Sequence, residues 1–382
     1  MEIDNKKHIL FLPEWYPNPD DPQLAVFVEK FARAAAMNSK VSLIYCGPFA
    51  KNNKIDLILK KEGNLTSYFC YYPKQKRKLR AYNYFIKAHQ MCFDKLKEDG
   101  IPDLIHLHML FRNYVAYKKI YAVKIKKFLI TEQWSGYIDG TFEKLGYFKK
   151  REYKQAFSKA YFVTAVSKKL ADALNKKFDI QNNILILPNI AEASINKNST
   201  KTEQFNLLVV ADLVDKIKNV SGVIEAYIQS NLEIKSVLTI IGDGTDRIEL
   251  ENKARSLNSP NKEINFKGRL ENKHVLEEMQ LANCLITNSR HETFSMVTAE
   301  ALLAGLPVIC TKCGGPEEFV NENNGILINV DDVKALKLAI EKMAISHTKY
   351  NPAHLSKPVL DKFGIMAVSK QLNDIYTNIL NP

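Results

Sequence analysis

The chain has 382 residues, of which 46% are apolar and 25% are charged, a composition typical of a globular protein and not of a disordered chain. No run of about 18 apolar residues could cross a membrane, and the first residues lack the apolar core of a signal peptide. The six cysteines are scattered along the chain, so we expect no disulfide framework and a cytoplasmic protein of two domains.

Positive charge is concentrated in the first half of the chain. Residues 1–190 contain 33 Lys and Arg against 18 Asp and Glu, a net charge of +15, whereas the remaining residues carry a net charge of −3. The excess lies mainly in residues 74–80, 118–127 and 149–151. A polybasic face is attracted to anionic lipid or to nucleic acid. Because the basic stretches lack interleaved stacking motifs, we expect no nucleic-acid partner, and peripheral contact with an anionic membrane is our hypothesis.

Short apolar runs alternate with helical patterns in the first half, which predicts a parallel α/β domain over residues 1–190. The predicted strands are residues 8–12, 41–46, 103–108, 128–131, 161–166 and 184–187. The polar segment 191–204 interrupts this pattern and is predicted to be an interdomain linker.

A second α/β domain is predicted over residues 205–360. Its predicted strands are residues 205–211, 237–241, 264–267, 284–287 and 306–310. Apolar residues at helical spacing between residues 362 and 380 predict a final helix within a C-terminal segment 361–382.

The stretch from Asn288 to Phe319 carries the strongest functional signal. It follows a predicted strand and reads as a polar turn, a helix from about Thr293, and then another buried strand after Gly305. The turn therefore opens at the carboxyl end of a strand, which is where open α/β sheets bind ligands.

Two carboxylates frame this stretch, Glu292 in the turn and Glu300 inside the helix. A carboxylate ahead of a helix can act simply as a cap, but a buried carboxylate such as that of Glu300 is costly unless it has a partner. Carboxylates accept hydrogen bonds from the vicinal hydroxyls of sugars and riboses, and a helix start with free N–H groups suits a phosphate. Sugar, ribose and phosphate together describe a nucleotide sugar.

Glu292, seven residues, Glu300 and then Ala-x-x-x-Gly-x-Pro-Val-Ile resemble the donor-binding motif of glycosyltransferase family 4, whose members are retaining enzymes. The resemblance implies the GT-B fold, an α/β architecture of two Rossmann-like domains facing across a cleft. The N-terminal domain would then bind the acceptor and the C-terminal domain the nucleotide sugar, with the final helix crossing back onto the N-terminal domain.

The resemblance also assigns roles to residues of the second domain. Glu292 would hold the donor sugar and Glu300 the ribose hydroxyls, while Lys218 and the helix start after Glu292 would stabilise the leaving diphosphate. The remaining residues expected at the donor are Gly242, Gly268, Arg269, Leu270, Thr293, Phe294 and Ser295.

Several positions depart from the family pattern. Thr293 and Ser295 replace the two glycines of Glu-Gly-Phe-Gly, and Asp212 stands where the family has the arginine of Gly-Arg-Leu. Gln133 replaces the histidine of Glu-His-Trp that approaches the donor sugar; an amide can bind a sugar hydroxyl but cannot carry a proton at neutral pH. Ala25 stands where the first loop of the family often has a glycine.

His106 and His108 share one face of a predicted strand. Burial as core histidines is one interpretation, and the resemblance supports another, in which His108 faces the cleft as a catalytic residue. No further metal ligand is identified near them, Cys310 and Cys313 lack a second pair, and no Asp-x-Asp occurs. We therefore expect no metal and no cofactor.

The function that we expect is metal-independent transfer of a hexosyl group, with retention, from a nucleotide sugar to an acceptor hydroxyl. UDP is the expected nucleotide, and the acceptor is expected to be a saccharide or lipid-linked saccharide in cell-surface polysaccharide or glycan assembly. Asp212, Gln133 and the missing glycines motivate an alternative, a sugar-nucleotide-binding relative that has lost catalysis.

Overall fold

The computed structural model describes residues 7–180, 184–192, 204–257 and 261–381. The chain divides into two compact units. Unit 1 comprises Met1–Ile190 and Ile365–Pro382, and unit 2 comprises Ala191–Gly364. The linker predicted at residues 191–204 falls mostly on residues 193–203, which lie outside the described residues.

Each unit is built on one sheet. In unit 1 the order of the described strands is β3-β4-β2-β1-β5-β6-β7-β8, and in unit 2 it is β11-β10-β9-β12-β13-β14. Neighbouring strands are parallel except for the antiparallel pair β3 and β4. The strands are β1 His8–Pro13, β2 Lys40–Phe49, β3 Asp56–Glu62, β4 Leu65–Pro73, β5 Leu104–His108, β6 Phe128–Glu132, β7 Phe162–Ala165, β8 Leu185–Ile186, β9 Phe205–Val210, β10 Ser236–Ile241, β11 Lys262–Gly268, β12 Cys284–Thr287, β13 Val308–Thr311 and β14 Gly325–Ile328.

Helices connect most of the parallel strands, as right-handed crossovers require. The α-helices are α1 Val26–Ala36, α2 Lys78–Leu96, α3 Asn113–Ala116, α4 Tyr147–Lys159, α5 Lys168–Phe178, α6 Asp215–Lys218, α7 Val220–Gln229, α8 Arg247–Ser256, α9 Asn272–Leu281, α10 Met296–Leu303, α11 Val333–Ser346, α12 Pro352–Phe363 and α13 Ile365–Leu380. A π-helical turn, Tyr117–Tyr121, follows α3. Among the described residues, none of the helices is both long and apolar enough to span a membrane.

The central strands are buried on both faces, which is why they read as nearly continuous apolar runs in the sequence. All six residues of β1 are buried, for example. The last helix, α13, belongs to unit 1, where it packs against α1. The Tyr376 hydroxyl of α13 lies 2.8 Å from Nδ1 of His106 in β5.

Both sheets reverse their strand order at one place. In unit 1, β2, β4 and β3 lie on one side of β1, and β5 to β8 follow in order on the other side, so the switch point lies between β1 and β5. In unit 2 it lies between β9 and β12. Loops at the carboxyl ends of such strand pairs form the ligand crevice of doubly wound sheets.

The fold class predicted from the sequence is confirmed, because both units are parallel α/β sheets with Rossmann-like strand order. The sequence reasoning assigned no strand to β3, β4 or β14 and no helix to α2. Of these elements, β3 is an exposed edge strand, so its sequence lacks the buried apolar run by which the other strands were found.

Candidate functional site

An ion pair bridges the switch point of unit 2. Lys218 ends α6, which follows β9, and Glu292 lies in the loop after β12. The Lys218 Nζ is 2.7 Å from the Glu292 Oε1, and the side chains are 23% and 14% exposed. The Ser289 hydroxyl donates a hydrogen bond of 2.7 Å to the same carboxylate oxygen. The structure therefore brings together two residues that lie 74 positions apart in the sequence and that were both predicted to be catalytic.

The ammonium group of Lys218 is strongly held in its charged form. Burial lowers the pKa of this lysine, but the Glu292 carboxylate and the nearby Asp212 carboxylate outweigh burial and raise the pKa above its ordinary value. Asp212, which stands in place of the arginine of the family motif, thus contributes negative charge beside Lys218. A fixed cation at the carboxyl edge of the sheet is suited to bind a phosphate.

The loops that carry this ion pair are cross-linked by residues that the sequence reasoning did not single out. Arg290 donates through Nε to Asp331 at 2.8 Å, and through Nη1 to the carbonyl oxygens of Asp215 and Lys216 at 2.8 and 3.0 Å. The buried Asn288 donates through Nδ2 to the Asn219 carbonyl oxygen at 2.9 Å. Asn288 and Arg290 lie in a polar turn directly after a buried strand, and this position is the feature of the sequence that could have indicated them.

The backbone of Glu292 is also fixed from the loop after β13. Its N–H donates to the Cys313 carbonyl oxygen at 3.1 Å, and its carbonyl oxygen accepts from the Gly315 N–H at 3.0 Å. A Cβ atom on Gly315 would lie 2.3 Å from the Phe294 Cα, so this close approach requires glycine. Glu292 is therefore held in position by both neighbouring loops.

The turn before α10 shows why the family motif has a glycine there. Ser295, the N-cap of α10, has φ 72° and ψ 80°, in the left-handed region. A non-glycine residue in this region costs roughly 1–2 kcal/mol. The Ser295 hydroxyl lies 2.8 Å from the Thr298 hydroxyl, which is itself 3.0 Å from the Thr287 hydroxyl. Ser295 thus adopts a backbone conformation that glycine would adopt without strain. The contact between the hydroxyls of Ser295 and Thr298 offsets part of this cost.

The helix begins at Met296 and not at about Thr293 as expected, because the turn extends through Ser295. Thr293 is half-buried in this turn. Phe294 was expected at the donor, but its ring is buried against the rings of Phe319 and Phe363, at centroid distances of 5.5 and 5.0 Å. Its side chain is therefore a core residue of unit 2, and that expectation is corrected.

Glu300 lies in the second turn of α10 and is 7% exposed. The helix is short and mostly apolar, with Ala299, Ala301, Leu302 and Leu303 buried beside Glu300. The ribose contact of Glu300 remains a prediction.

The predicted glycines lie where the loops after β9, β10 and β11 meet. Gly242 has φ +137°, and a Cβ atom there would lie 1.8 Å from the Ala211 carbonyl oxygen. Its N–H donates to the Gly268 carbonyl oxygen at 2.8 Å, and Gly268 has φ +67°. Arg269 is exposed and Leu270 half-buried directly after Gly268. These backbone positions are thus packed so closely that side chains would separate the loops.

His108 is not placed at a ligand site. Its ring is fully buried in unit 1, stacked on Phe11 at 5.0 Å and in contact with Phe31 at 5.4 Å. Burial lowers its pKa to about 3, so the ring is neutral at physiological pH. Phenylalanines from two other elements enclose the ring, which favours the core interpretation, whereas neither ring nitrogen has a hydrogen-bond partner among the described residues. The catalytic role of His108 stays a prediction.

A second ion pair lies at the switch point of unit 1. Glu14 follows β1, and its Oε1 accepts from the Arg112 Nε at 2.9 Å while its Oε2 accepts from the Arg112 N–H at 3.0 Å. Glu14 is only 4% exposed in its side chain. Both units thus have a carboxylate paired with a cation at the switch point of the sheet, buried for Glu14 and half-buried for Glu292, a feature that the sequence did not reveal.

Beside this pair, β6 ends in two buried polar residues. Glu132 accepts hydrogen bonds through Oε1 from the Leu110 N–H and the Tyr137 hydroxyl, at 3.1 and 3.0 Å. Burial raises the pKa of Glu132 to about 7. Gln133 is 7% exposed, and neither its amide nitrogen nor its amide oxygen has a hydrogen-bond partner within the described part of the chain. An amide in this state is available to a ligand.

Within the described residues, no group of three or more His, Cys, Asp and Glu side chains could hold a metal ion. Cys310 and Cys313 are both buried with free thiols.

Comparison with known proteins agrees with this geometry. The family model described as glycosyl transferases group 1 matches residues 191–351, which contain the ion pair and α10. The N-acetyl-alpha-D-glucosaminyl L-malate synthase of Bacillus anthracis is 25% identical over 182 residues, 47% of this chain and 47% of that relative. The alignment thus spans about half the length of the relative.

Solved structures match over nearly the whole chain. A sucrose-phosphate synthase from Thermosynechococcus elongatus has a TM-score of 0.77 at 16% identity, covering 98% of this chain and 99% of the other. Anabaena HepE in complex with UDP-glucose has a TM-score of 0.71 at 17% identity, covering 97% and 99%. The structure has the GT-B fold. Residues 191–351, which include the motif around Glu292 and Glu300, are similar to glycosyltransferases of the family 4 type, as that motif predicted.

Proposed function

We propose that this protein transfers a glycosyl group, with retention, from a nucleotide sugar bound by unit 2 to an acceptor hydroxyl. The observation that carries the proposal is the Lys218–Glu292 ion pair at the switch point between β9 and β12, within the matched segment 191–351. In a nucleotide sugar the diphosphate is covalently joined to the sugar. A cation beside a carboxylate suits this ligand, because the cation can bind the diphosphate and the carboxylate can accept a hydrogen bond from a sugar hydroxyl.

Lys218 and the N-terminus of α10 would stabilise the negative charge that develops on the leaving diphosphate. Preorganised donors of this kind are usually the largest catalytic contribution, and one donor is typically worth about 2.7–4 kcal/mol. The Glu292 carboxylate holds the Lys218 ammonium group at 2.7 Å, so the protein itself fixes the position of the cation.

The two carboxylates of the motif would bind the sugar and the ribose of the donor. We assign Glu292 to the donor sugar and Glu300 to the ribose hydroxyls. Gly242 and Gly268 would lie beside the donor, and the backbone of Gly268, Arg269 and Leu270 would bind the base. UDP is our proposed nucleotide; HepE, which has the same fold, was solved with UDP-glucose. No metal is proposed, because the cationic groups named above would neutralise the diphosphate.

Unit 1 would bind the acceptor. It contains a cavity of about 330 Å³ between the loop after β1, helix α1 and the strands β3 and β4. The walls include the aromatic side chains of Tyr16, Phe69 and Tyr71 and the carboxylates of Glu29 and Glu62. Apolar walls with a few convergent polar groups are typical of ligand sites, and apolar sugar faces and hydroxyls suit this mixture. Gln133, with its unpartnered amide, is proposed to bind a substrate hydroxyl.

The positive charge of unit 1 favours an acceptor that lies at a membrane. We propose a saccharide or lipid-linked saccharide of cell-surface polysaccharide assembly, reached by a cytoplasmic protein at the inner membrane leaflet. A related protein that binds nucleotide sugars without catalysis is the second candidate, and Asp212 beside Lys218 is the observation that favours it, because it weakens the positive field at the diphosphate.

Nucleotide-sugar binding is tested by a thermal-shift screen with UDP-, GDP-, ADP- and TDP-sugars. A ligand present at 100 times its dissociation constant stabilises the folded protein by about 2.7 kcal/mol. We expect one base to give a clear increase in Tm, with UDP the largest. If no nucleotide or nucleotide sugar changes the Tm, the proposed donor site is wrong.

A further inference from the structure

Helices α2 and α4 of unit 1 begin with basic residues where helices usually carry acidic ones, as α5 also does. The segment before α2 and its first turn contain Lys74, Lys76, Arg77, Lys78 and Arg80. Helix α4 begins with Tyr147 and Phe148, followed by Lys149, Lys150 and Arg151. The described first turns contain no acidic residue. Because the helix dipole disfavours cations at an N-terminus, stability does not explain this arrangement.

These cations are also largely uncompensated. Lys74, Lys76, Arg77, Lys78 and Arg80 are exposed, and none of them forms an ion pair with a described residue. The other end of α2 is different, because Lys95 pairs with Glu98 at 2.5 Å and Lys97 with Asp94 at 2.6 Å. The unpaired charge is therefore concentrated at one end of the helix.

Large apolar side chains project from the same places. Leu79 in the first turn of α2 is 74% exposed, and Tyr147 and Phe148 at the start of α4 are 72% and 82% exposed. Leu79 and Phe148 are next to basic residues in the sequence, and Tyr147 is next to Phe148. Exposed apolar groups within a cationic surface are expected where a protein lies at the boundary between anionic headgroups and acyl chains.

The two helix starts lie on either side of one pair of lysines. Lys119 in the π-helical turn lies over the ring of Tyr82, one turn into α2, at 5.0 Å from the centroid. The neighbouring Lys118 forms an ion pair of 2.6 Å with Glu152, one turn into α4. Since α2 follows β4 and α4 follows β6, both helices begin at the carboxyl edge of the sheet. Their first turns and the two lysines form one surface, which we call the basic face.

We propose that the basic face docks on an anionic lipid bilayer, with the cations at the headgroups and Leu79, Tyr147 and Phe148 inserted at the acyl boundary. This inference rests on one part of the proposed function, the lipid-linked acceptor. It names the surface that would bring unit 1 to that acceptor. A nucleic acid would also attract the cations and stack on the aromatic rings, but it gives no reason for an exposed leucine among them.

The test is co-sedimentation of the full chain with phosphatidylcholine vesicles, with and without phosphatidylglycerol, at low and high salt. The wild-type protein should bind the anionic vesicles alone, and salt should weaken binding. Lys76→Gln/Lys78→Gln should weaken binding roughly fivefold for each charge removed. Tyr147→Ser/Phe148→Ser should weaken it at least tenfold and leave the net charge unchanged. Lys95→Gln/Lys97→Gln, at the other end of α2, removes the same charge and should change binding much less.

The inference is overturned if the wild-type protein ignores anionic vesicles at low salt, if the two lysine pairs prove equivalent, or if the serine variants bind as well as the wild type. Tighter binding to an RNA or DNA oligonucleotide than to the vesicles would assign the face to nucleic acid. As a control for folding, the increase in Tm caused by the nucleotide sugar is measured on every variant. If that shift persists while vesicle binding is absent, the donor site stands and the membrane surface does not.

Discussion

Replacing Lys218 by methionine tests the donor site at its most specific point. The variant keeps the length of the side chain and removes the charge that lies 2.7 Å from Glu292. A hydrogen bond to a charged group contributes about 1.5–3 kcal/mol. Its loss should weaken binding of a nucleoside diphosphate roughly 10- to 100-fold. The upper end of this range is expected, because Glu292 is then left as an uncompensated carboxylate beside the diphosphate.

Glu292→Gln should have the opposite effect on the free nucleotide. It removes negative charge next to the diphosphate and frees Lys218, so the affinity for the nucleoside diphosphate should be unchanged or higher, whereas turnover should fall. In the double variant the nucleotide should bind more tightly than to Lys218→Met alone.

Isothermal titration with the nucleoside diphosphate gives these affinities directly. Lys253→Met is the matched control, because Lys253 is also a partly exposed lysine of unit 2, paired with Glu225 at 3.3 Å, and its loss should leave the affinity unchanged. If Lys218→Met binds the nucleotide as tightly as the wild type, Lys218 does not contact the diphosphate. If Glu292→Gln weakens nucleotide binding as much as Lys218→Met does, the division between sugar and diphosphate is wrong.

Three further predictions concern Glu300, the metal and Glu132. Glu300→Gln should weaken binding of free nucleotide and nucleotide sugar alike, because both carry the ribose; titration of both ligands checks this, and a loss confined to the nucleotide sugar would contradict it. Turnover should survive EDTA, and loss of activity with recovery in Mn²⁺ or Mg²⁺ would refute the metal-free leaving-group chemistry. The pKa of Glu132 is raised from 4.5 to about 7, so the folded state loses stability as the pH rises through that interval. Glu132→Gln should therefore stabilise the protein at about pH 8 relative to about pH 5, by up to about 3 kcal/mol; urea titrations at both pH values measure this, and an equal effect at both would contradict it.

The sequence predicts most of the buried framework of the two units. Strands such as β1 and β12 are recognisable because burial on both faces requires continuous apolar runs. The edge strand β3 does not have this signature: Ile58 and Leu59 are nearly half exposed and charged residues follow them. Its place in the sheet comes from antiparallel pairing with β4, which local sequence does not show.

The donor residues are predicted by motif, but their arrangement is not. Lys218 and Glu292 were each expected near the diphosphate or the sugar, and only the pairing of β9 with β12 shows that their side chains meet. The burial of His108 is not visible in the local sequence, because it depends on Phe11 and Phe31 from other elements. At Ser295 the family motif has a glycine, and the left-handed backbone at this position explains that preference.

Turnover of a nucleotide sugar is the measurement that separates a glycosyltransferase from a binding protein of the same fold. Phosphorus NMR would follow conversion of the nucleotide sugar identified by thermal shift into free nucleoside diphosphate, with water or an added saccharide as acceptor. We predict that the wild-type protein releases nucleoside diphosphate from the nucleotide sugar. Glu292→Gln should bind the same nucleotide sugar but form free nucleoside diphosphate at least roughly 100-fold more slowly. Tight binding of the nucleotide sugar by the wild-type protein with no release of diphosphate, with or without acceptor, would contradict the proposed reaction.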